Sequence, residues 1–177
     1  SMIYRVNAGS IPSDNWLQDI EIGGGRILGE ACHFIDYLTY INGSLPTKVS
    51  AQVLADPENL NDTVNIMLQF ENGSTGVLCY YSNGAKSLSK EYIEIYSSGI
   101  SVILDDFKSL TIHSKGKPSK FKLWNQNKGQ KEMIDSFFNG IIDNGEAPIA
   151  FSDVVSVTRT CFRVLDSIKN GGQLILI

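Results

Sequence analysis

Three consecutive glycines, Gly23-Gly24-Gly25, run directly into a stretch of helical period, and this junction constrains the chain more than any other feature. Three glycines in a row continue neither a helix nor a strand at low cost. They suit a tight loop where the backbone turns or approaches another group closely. Beyond them Ile27, Ala31, Phe34, Leu38 and Ile41 recur at three- and four-residue spacing, and Leu28, Cys32 and Ile35 widen the apolar stripe. The spacing predicts a helix over about residues 26–42, stopped by Asn42-Gly43. Arg26, Glu30, His33, Tyr37 and Tyr40 follow the same spacing on another face, which would carry the polar chemistry.

That face has two readings. In one, Glu30, His33 and Asp36 line a substrate pocket. In the other, the helix simply packs on a sheet and His33 is a core histidine with its hydrogen bonds satisfied.

The surrounding pattern supplies the sheet. Residues 3–8 read as a strand, and Gly9, Pro12, Ser13, Asp14 and Asn15 break the chain into a loop over 9–22. Trp16 in that loop is an anchor on the sheet or a pocket wall. From Thr47 the period becomes two. Val49, Ala51, Val53 and Ala55 alternate, Asp56-Pro57 ends the run, and Val64, Ile66, Leu68 and Phe70 alternate in the next. Asn72-Gly73 predicts a hairpin. The returning strand has Val77, Cys79 and Tyr81 on one face and Leu78 and Tyr80 on the other. Strands around Ile93, Ile100–Leu104 and 108–113 complete an antiparallel meander. A polar loop spans 114–130, with a short strand at Phe121–Trp124; its lysines are solvated or reach a phosphate.

Two helices follow. Met133, Ile134, Phe137, Phe138, Ile141 and Ile142 stripe the first, stopped by Asn144-Gly145. Val154, Val157, Cys161, Leu165 and Ile168 stripe the second, which Ser152 caps, and both stripes read as core. Leu174–Ile177 adds a small strand. The fold class is α+β: a mostly antiparallel open β-sheet with helices packed on one face, residues 1–177 forming a single domain. The second sheet face, on which we place Tyr80, Tyr92 and Tyr96, is a candidate for subunit contact or a pocket wall.

Composition excludes several classes. A net charge of −4 with no Lys/Arg run argues against nucleic acid or an anionic membrane as partner. No apolar run is long enough to span a bilayer and no signal peptide opens the chain, so a cytoplasmic location is expected. Cys32, Cys79 and Cys161 are widely spaced within apolar patterns, which fits free thiols in a reducing compartment. With only His33 and His113 and no Cys-x-x-Cys, no metal site is expected.

Trp16, Asp19, Gly23-Gly24-Gly25, His33 and Asp36, after the opening Tyr4–Gly9, resemble the C-terminal domain of the Gfo/Idh/MocA (glucose–fructose oxidoreductase and inositol dehydrogenase) oxidoreductases. The resemblance covers nearly the whole chain in element order, with the specific motifs in residues 4–46. It implies a two-domain parent that oxidises or reduces a sugar, sugar-nucleotide or cyclitol hydroxyl with NAD or NADP. In many members an Asp stands four residues before the His; here that position is Gly29, and the nearest acid is Glu30. The family's catalytic Lys lies in a Glu-Lys-Pro motif of the other domain, and neither that motif nor a Gly-x-Gly-x-x-Gly after a strand occurs in this chain. The chain is therefore expected to be the substrate-binding and oligomerisation half, inactive alone, binding no cofactor itself, and forming a homodimer or higher oligomer through the open sheet face. The resemblance implies His33 and Glu30 as catalytic residues. Asn7, Trp16, Asp19, Arg26 and Asp36 are implied as substrate contacts for a carbohydrate-type ligand. Oxidising an alcohol leaves a hydroxyl proton to be taken up, and imidazole, which titrates near neutrality, suits that transfer in both directions. The alternative is a non-catalytic α+β binding or dimerisation module of the same fold.

Overall fold

The structure is a computed structural model that describes every residue except 58, 59 and 144. Its frame is one nine-stranded sheet in the order β8-β7-β6-β5-β1-β4-β3-β2-β9. The strands are β1 (Met2–Asn7), β2 (Pro46–Val53), β3 (Val64–Phe70), β4 (Thr75–Tyr81), β5 (Glu91–Ser97), β6 (Ile100–Asp105), β7 (Ser109–His113), β8 (Ser119–Lys122) and β9 (Ile175–Leu176). β3 shows the cleanest alternation of buried and exposed residues, as its period of two requires. Gly73 in the β3–β4 hairpin and the Ser98-Gly99 pair between β5 and β6 have positive φ, the conformation such tight turns demand.

The sheet is not the simple meander that the strand order in sequence suggests. β1 lies between β4 and β5, parallel to β4 and antiparallel to β5; every other pair is antiparallel. The connection 82–90 between β4 and β5 must therefore pass over the end of β1. There Asn7 N–H donates to the Lys90 carbonyl at 2.7 Å, and Ala8 N–H to that of Tyr81 at 2.8 Å. β8 begins two residues before the expected strand start at Phe121.

Two helices cover one face: α1 (Cys32–Asn42) and α3 (Phe151–Lys169). Phe34, Ile35 and Leu38 of α1 and Val157, Cys161 and Val164 of α3 close the core over Tyr4, Ile66, Phe70 and Leu78. Tyr4 meets Phe34 edge-on at 5.1 Å and Tyr37 at 5.5 Å. Gly43, in the left-handed conformation, ends α1 as its Asn-Gly signal requires. The expected single helix is in fact divided: residues Ile27–Ala31 form a π-turn before α1 begins. Gly29 sits within that turn, where glycine's weak α preference offers least resistance to widening.

Three expectations are corrected here. Tyr80 does not stand on the open face; it is fully buried beneath the helices with Leu78, while Val77, Cys79 and Tyr81 alternate onto the open side. α2 (Gln130–Ile142) buries none of its residues, so its apolar stripe is not core: Phe137, Phe138 and Ile141 are all more than half exposed. Its expected stop includes Asn144, outside the described residues. Ser152 does not cap α3. Ala150 is the N-cap, and the Ser152 hydroxyl donates to Asp153 instead.

Candidate functional site

The glycine loop is built as its composition demands. A Cβ at Gly23 would lie 2.6 Å from the Leu17 Cα, and Gly24 and Gly25 have φ of +72° and +76°. Asp19 shapes the loop. Its carboxylate accepts from the N–H groups of Glu21 (2.8 Å) and Ile22 (3.1 Å), and its carbonyl from those of Gly23 and Gly24. Asp19 is thus spent on local geometry, while Trp16 projects from the loop, 63% exposed.

The loop delivers Arg26 into the interior, 2% exposed. A buried guanidinium needs partners. It donates to the Gly9 carbonyl at 2.6 Å and to Glu30 at 2.8 Å, lies 4.0 Å from Asp62, and stacks 5.1 Å above the Tyr80 ring. Glu30 also accepts from the Tyr80 hydroxyl at 2.5 Å and from Lys90 at 2.9 Å. Burial pushes the Glu30 carboxyl up, but the donors Tyr80, Arg26 and Lys90 outweigh it and hold the group down at about 2. Glu30 is therefore an anchoring anion near neutral pH, bonded to these three groups, with no hydrogen bond to His33 among the described residues. Burial, then the Glu30 carboxylate, drive the Tyr80 phenol far upward, so it stays a donor. Asp62, Ser82 and Gln18 extend the cluster through bonds of 2.7 Å and 3.3 Å to Asp62.

His33 lies in the first turn of α1 and is exposed. Asp36, one turn on, is half-buried. Burial raises its carboxyl, the His33 charge pulls it back, and Asp153 of α3 pushes it up again. The acid that senses His33 is thus Asp36 rather than Glu30.

Asn7, at the end of β1, donates to the carbonyls of Ala85 (2.8 Å) and Leu88 (3.1 Å) and so pins the 82–90 connection. Beside it opens a polar cleft of about 540 Å³, lined by Asn7, Ser10, Lys86, Lys90, Asp106 and Lys128. Lys90 joins this cleft to Glu30. The structure therefore gathers Asn7, Arg26 and Glu30 around one end of β1, sets His33 and Asp36 along α1, and leaves Trp16 and Asp19 in the entry loop. Sequence reasoning put Tyr80 on the opposite sheet face and read the Lys128 loop as solvated or reaching a phosphate; it missed Asp62, Lys86 and Lys90. Nothing in their spacing marks them, because strand crossing alone brings them to Glu30 and Asn7.

Among the described residues no group of three or more His, Cys, Asp or Glu is placed to hold a metal, and no helix is long and apolar enough to cross a membrane. Among the described residues the parallel strand pair is β1 and β4, and a long loop separates the end of β1 from the glycine triplet before α1, so no glycine-rich turn leads straight from a strand into a helix as a dinucleotide site requires.

Residues 2–102 match the family described as GFO/IDH/MocA C-terminal domain. No curated protein matches the sequence. Among solved structures, an aldose-aldose oxidoreductase from Caulobacter crescentus complexed with glycerol superposes at TM-score 0.81 and 16% identity, over 99% of this chain and 55% of that one. A levoglucosan dehydrogenase in complex with NADH and levoglucosan gives 0.79 and 19%, over 99% and 57%. The super-repressor mutant of Gal80p from Saccharomyces cerevisiae gives 0.81 and 15%, over 99% and 57%. The chain spans little more than half the length of these structures.

Proposed function

This chain belongs to the GFO/IDH/MocA C-terminal domain family, and on that premise we propose that it is the substrate-binding half of an oxidoreductase acting on a sugar, sugar-nucleotide or cyclitol hydroxyl. The hydride acceptor, NAD or NADP, belongs to a nucleotide-binding half outside this chain. The observation that carries the reading is the junction of glycine loop, π-turn and α1, which puts an exposed His33 one turn beyond the ion pair of buried Arg26 with Glu30. In this reading His33 takes the hydroxyl proton as the alcohol is oxidised and returns it in reduction. Asp36 orients the imidazole, and Glu30, unable to titrate near neutrality, anchors Arg26, Tyr80 and Lys90. Asn7, Arg26, Trp16 and Asp19 shape the floor and entrance for the other hydroxyls. The domain pairs with a second copy through the open sheet face.

A single observation favours the non-catalytic alternative. Gly29 occupies the place where many members carry Asp, so the acid that would stand beside His33 from that position is absent from this chain. Kinetics decide between the two. In the protein that joins this chain to its nucleotide-binding half, His33→Asn is expected to lower kcat by about 10²–10⁴-fold with melting temperature unchanged. Turnover within a few fold of the parent, or failure of the variant to fold, would return His33 to a structural role.

A further inference from the structure

We propose that the cleft over the end of β1 is an oxyanion site, receiving a phosphate or carboxylate group. Three ammonium groups, Lys86, Lys90 and Lys128, and one carboxylate, Asp106, line it on a chain whose net charge is −4. The cations come from separate segments: Lys86 and Lys90 from the β4–β5 connection, Lys128 from the loop before α2. Each segment is fastened. The connection is held by Asn7 at two carbonyls, by Arg5 donating to the Ser89 carbonyl at 2.6 Å, and by the Ser89 hydroxyl donating to Asp105 at 3.1 Å. Gly84 packs so tightly on Asn7 that a Cβ would overlap the amide oxygen. Lys128 is held by Glu91 and lies 5.7 Å from the Phe107 ring centroid, while Gln126 donates to the Asp106 carbonyl at 2.9 Å.

Glu30 and Glu91 thus fix two of the ammonium groups from behind, and Asp106 is itself paired with Lys108 at 3.4 Å. Lys86 has no ion-pair partner among the described residues and supplies the uncompensated charge. Cations already held in place lose little freedom on binding an anion, which is how a polar cleft becomes a site rather than a basic surface. A planar or tetrahedral oxyanion can accept from several ammonium groups at once. Because Lys90 also bonds Glu30, the inference extends the substrate reading above: the sugar-type substrate carries an anionic group, as a sugar phosphate, nucleotide sugar or sugar acid does.

The test needs no turnover, so its failure and the failure of the oxidoreductase reading are distinguishable. The 177-residue chain is titrated with inorganic pyrophosphate, with gluconate and with neutral glucose, and backbone amide shifts are followed by NMR. Pyrophosphate, gluconate or both should move the amides of Ala8, Ser87, Lys90 and Lys128 saturably, and glucose should not at the same concentration. The anion that moves them identifies phosphate or carboxylate. Lys86→Ala should weaken binding about fivefold, the worth of one charge at about 4 Å in a solvated site, and Lys86→Arg should restore it. Absence of shifts in the cleft with both anions overturns the proposal. So do shifts that are spread equally over the lysines of residues 115–122, or that survive Lys86→Ala unchanged.

Discussion

Replacing Glu30 by Gln removes a charge while nearly preserving shape, and the surroundings set the cost. The Arg26 side chain is 3% exposed and that of Glu30 19%. Breaking a buried pair from one side costs about 3–5 kcal/mol where the other charge is stranded. Arg26 is not fully stranded: it keeps the Gly9 carbonyl, Asp62 at 4.0 Å and the Tyr80 ring, and Gln still offers Tyr80 an acceptor. The expected loss is therefore about 2 kcal/mol. The titration agrees. A fall from the ordinary 4.5 to about 2 is at most about 3.5 kcal/mol at about 1.4 kcal/mol per unit, and partial solvent exposure brings it to about 2. The sign follows from the depressed folded-state value. The stabilisation is fully present above the unfolded value of 4.5 and is lost as pH falls through it toward about 2. Urea unfolding followed by circular dichroism at several pH values is the assay. Glu30→Gln should be less stable by about 2 kcal/mol at pH 7, about 4–8 °C in Tm for a chain of this size. The gap should shrink to about a quarter at about pH 2.5. A gap below about 0.5 kcal/mol at pH 7, or one unchanged at low pH, would refute the assignment of Glu30 as a fixed anchoring anion.

Gly29→Ala meets only the movable tip of the half-buried Leu17 side chain, so the overlap and the gain in helix propensity nearly cancel and stability should change by less than about 1 kcal/mol. Leu17→Ala in the same background should reveal the propensity gain in a double-mutant cycle; strict additivity would show that the two positions do not share space. Calorimetry with NAD and with NADP should detect no binding to the 177-residue chain, and micromolar affinity for either would contradict the misfit of its residues to a dinucleotide. Light scattering should give at least a dimer, and Tyr92→Asp on the open face should dissociate it; a concentration-independent mass near 19.5 kDa for the parent chain would argue against that interface. Phe138→Ser on α2, 56% exposed, should shift Tm by no more than about 2 °C, since no core contact is removed; a larger drop would mean that α2 packs more firmly than its exposure indicates.

Local signals in the chain were enough for the parts whose causes are local. Asn42-Gly43 ends α1 because a left-handed residue after the last turn is a property of glycine wherever it occurs. The alternation Val64–Phe70 makes β3 because strand geometry itself has period two. The glycine triplet forces its loop because no side chain fits at Gly23, and Gly24 and Gly25 need positive φ. Tertiary structure decided everything that depends on which segment meets which. Period two places Tyr80 opposite Tyr81 but does not say which parity faces the helices, and the packing of Phe34 and Arg26 on that side settles it. An apolar stripe at helical spacing shows that a helix has a face to bury, not that its own domain buries it; α3 meets the sheet along such a stripe and α2 does not. The His33 environment follows the same rule. Glu30 and Asp36 flank it symmetrically in sequence, yet the insertion of β1 between β4 and β5 brings Tyr80 and Lys90 to Glu30, and α3 brings Asp153 to Asp36. Charges interact through space, so their partners are set by long-range strand order that no short stretch of sequence encodes.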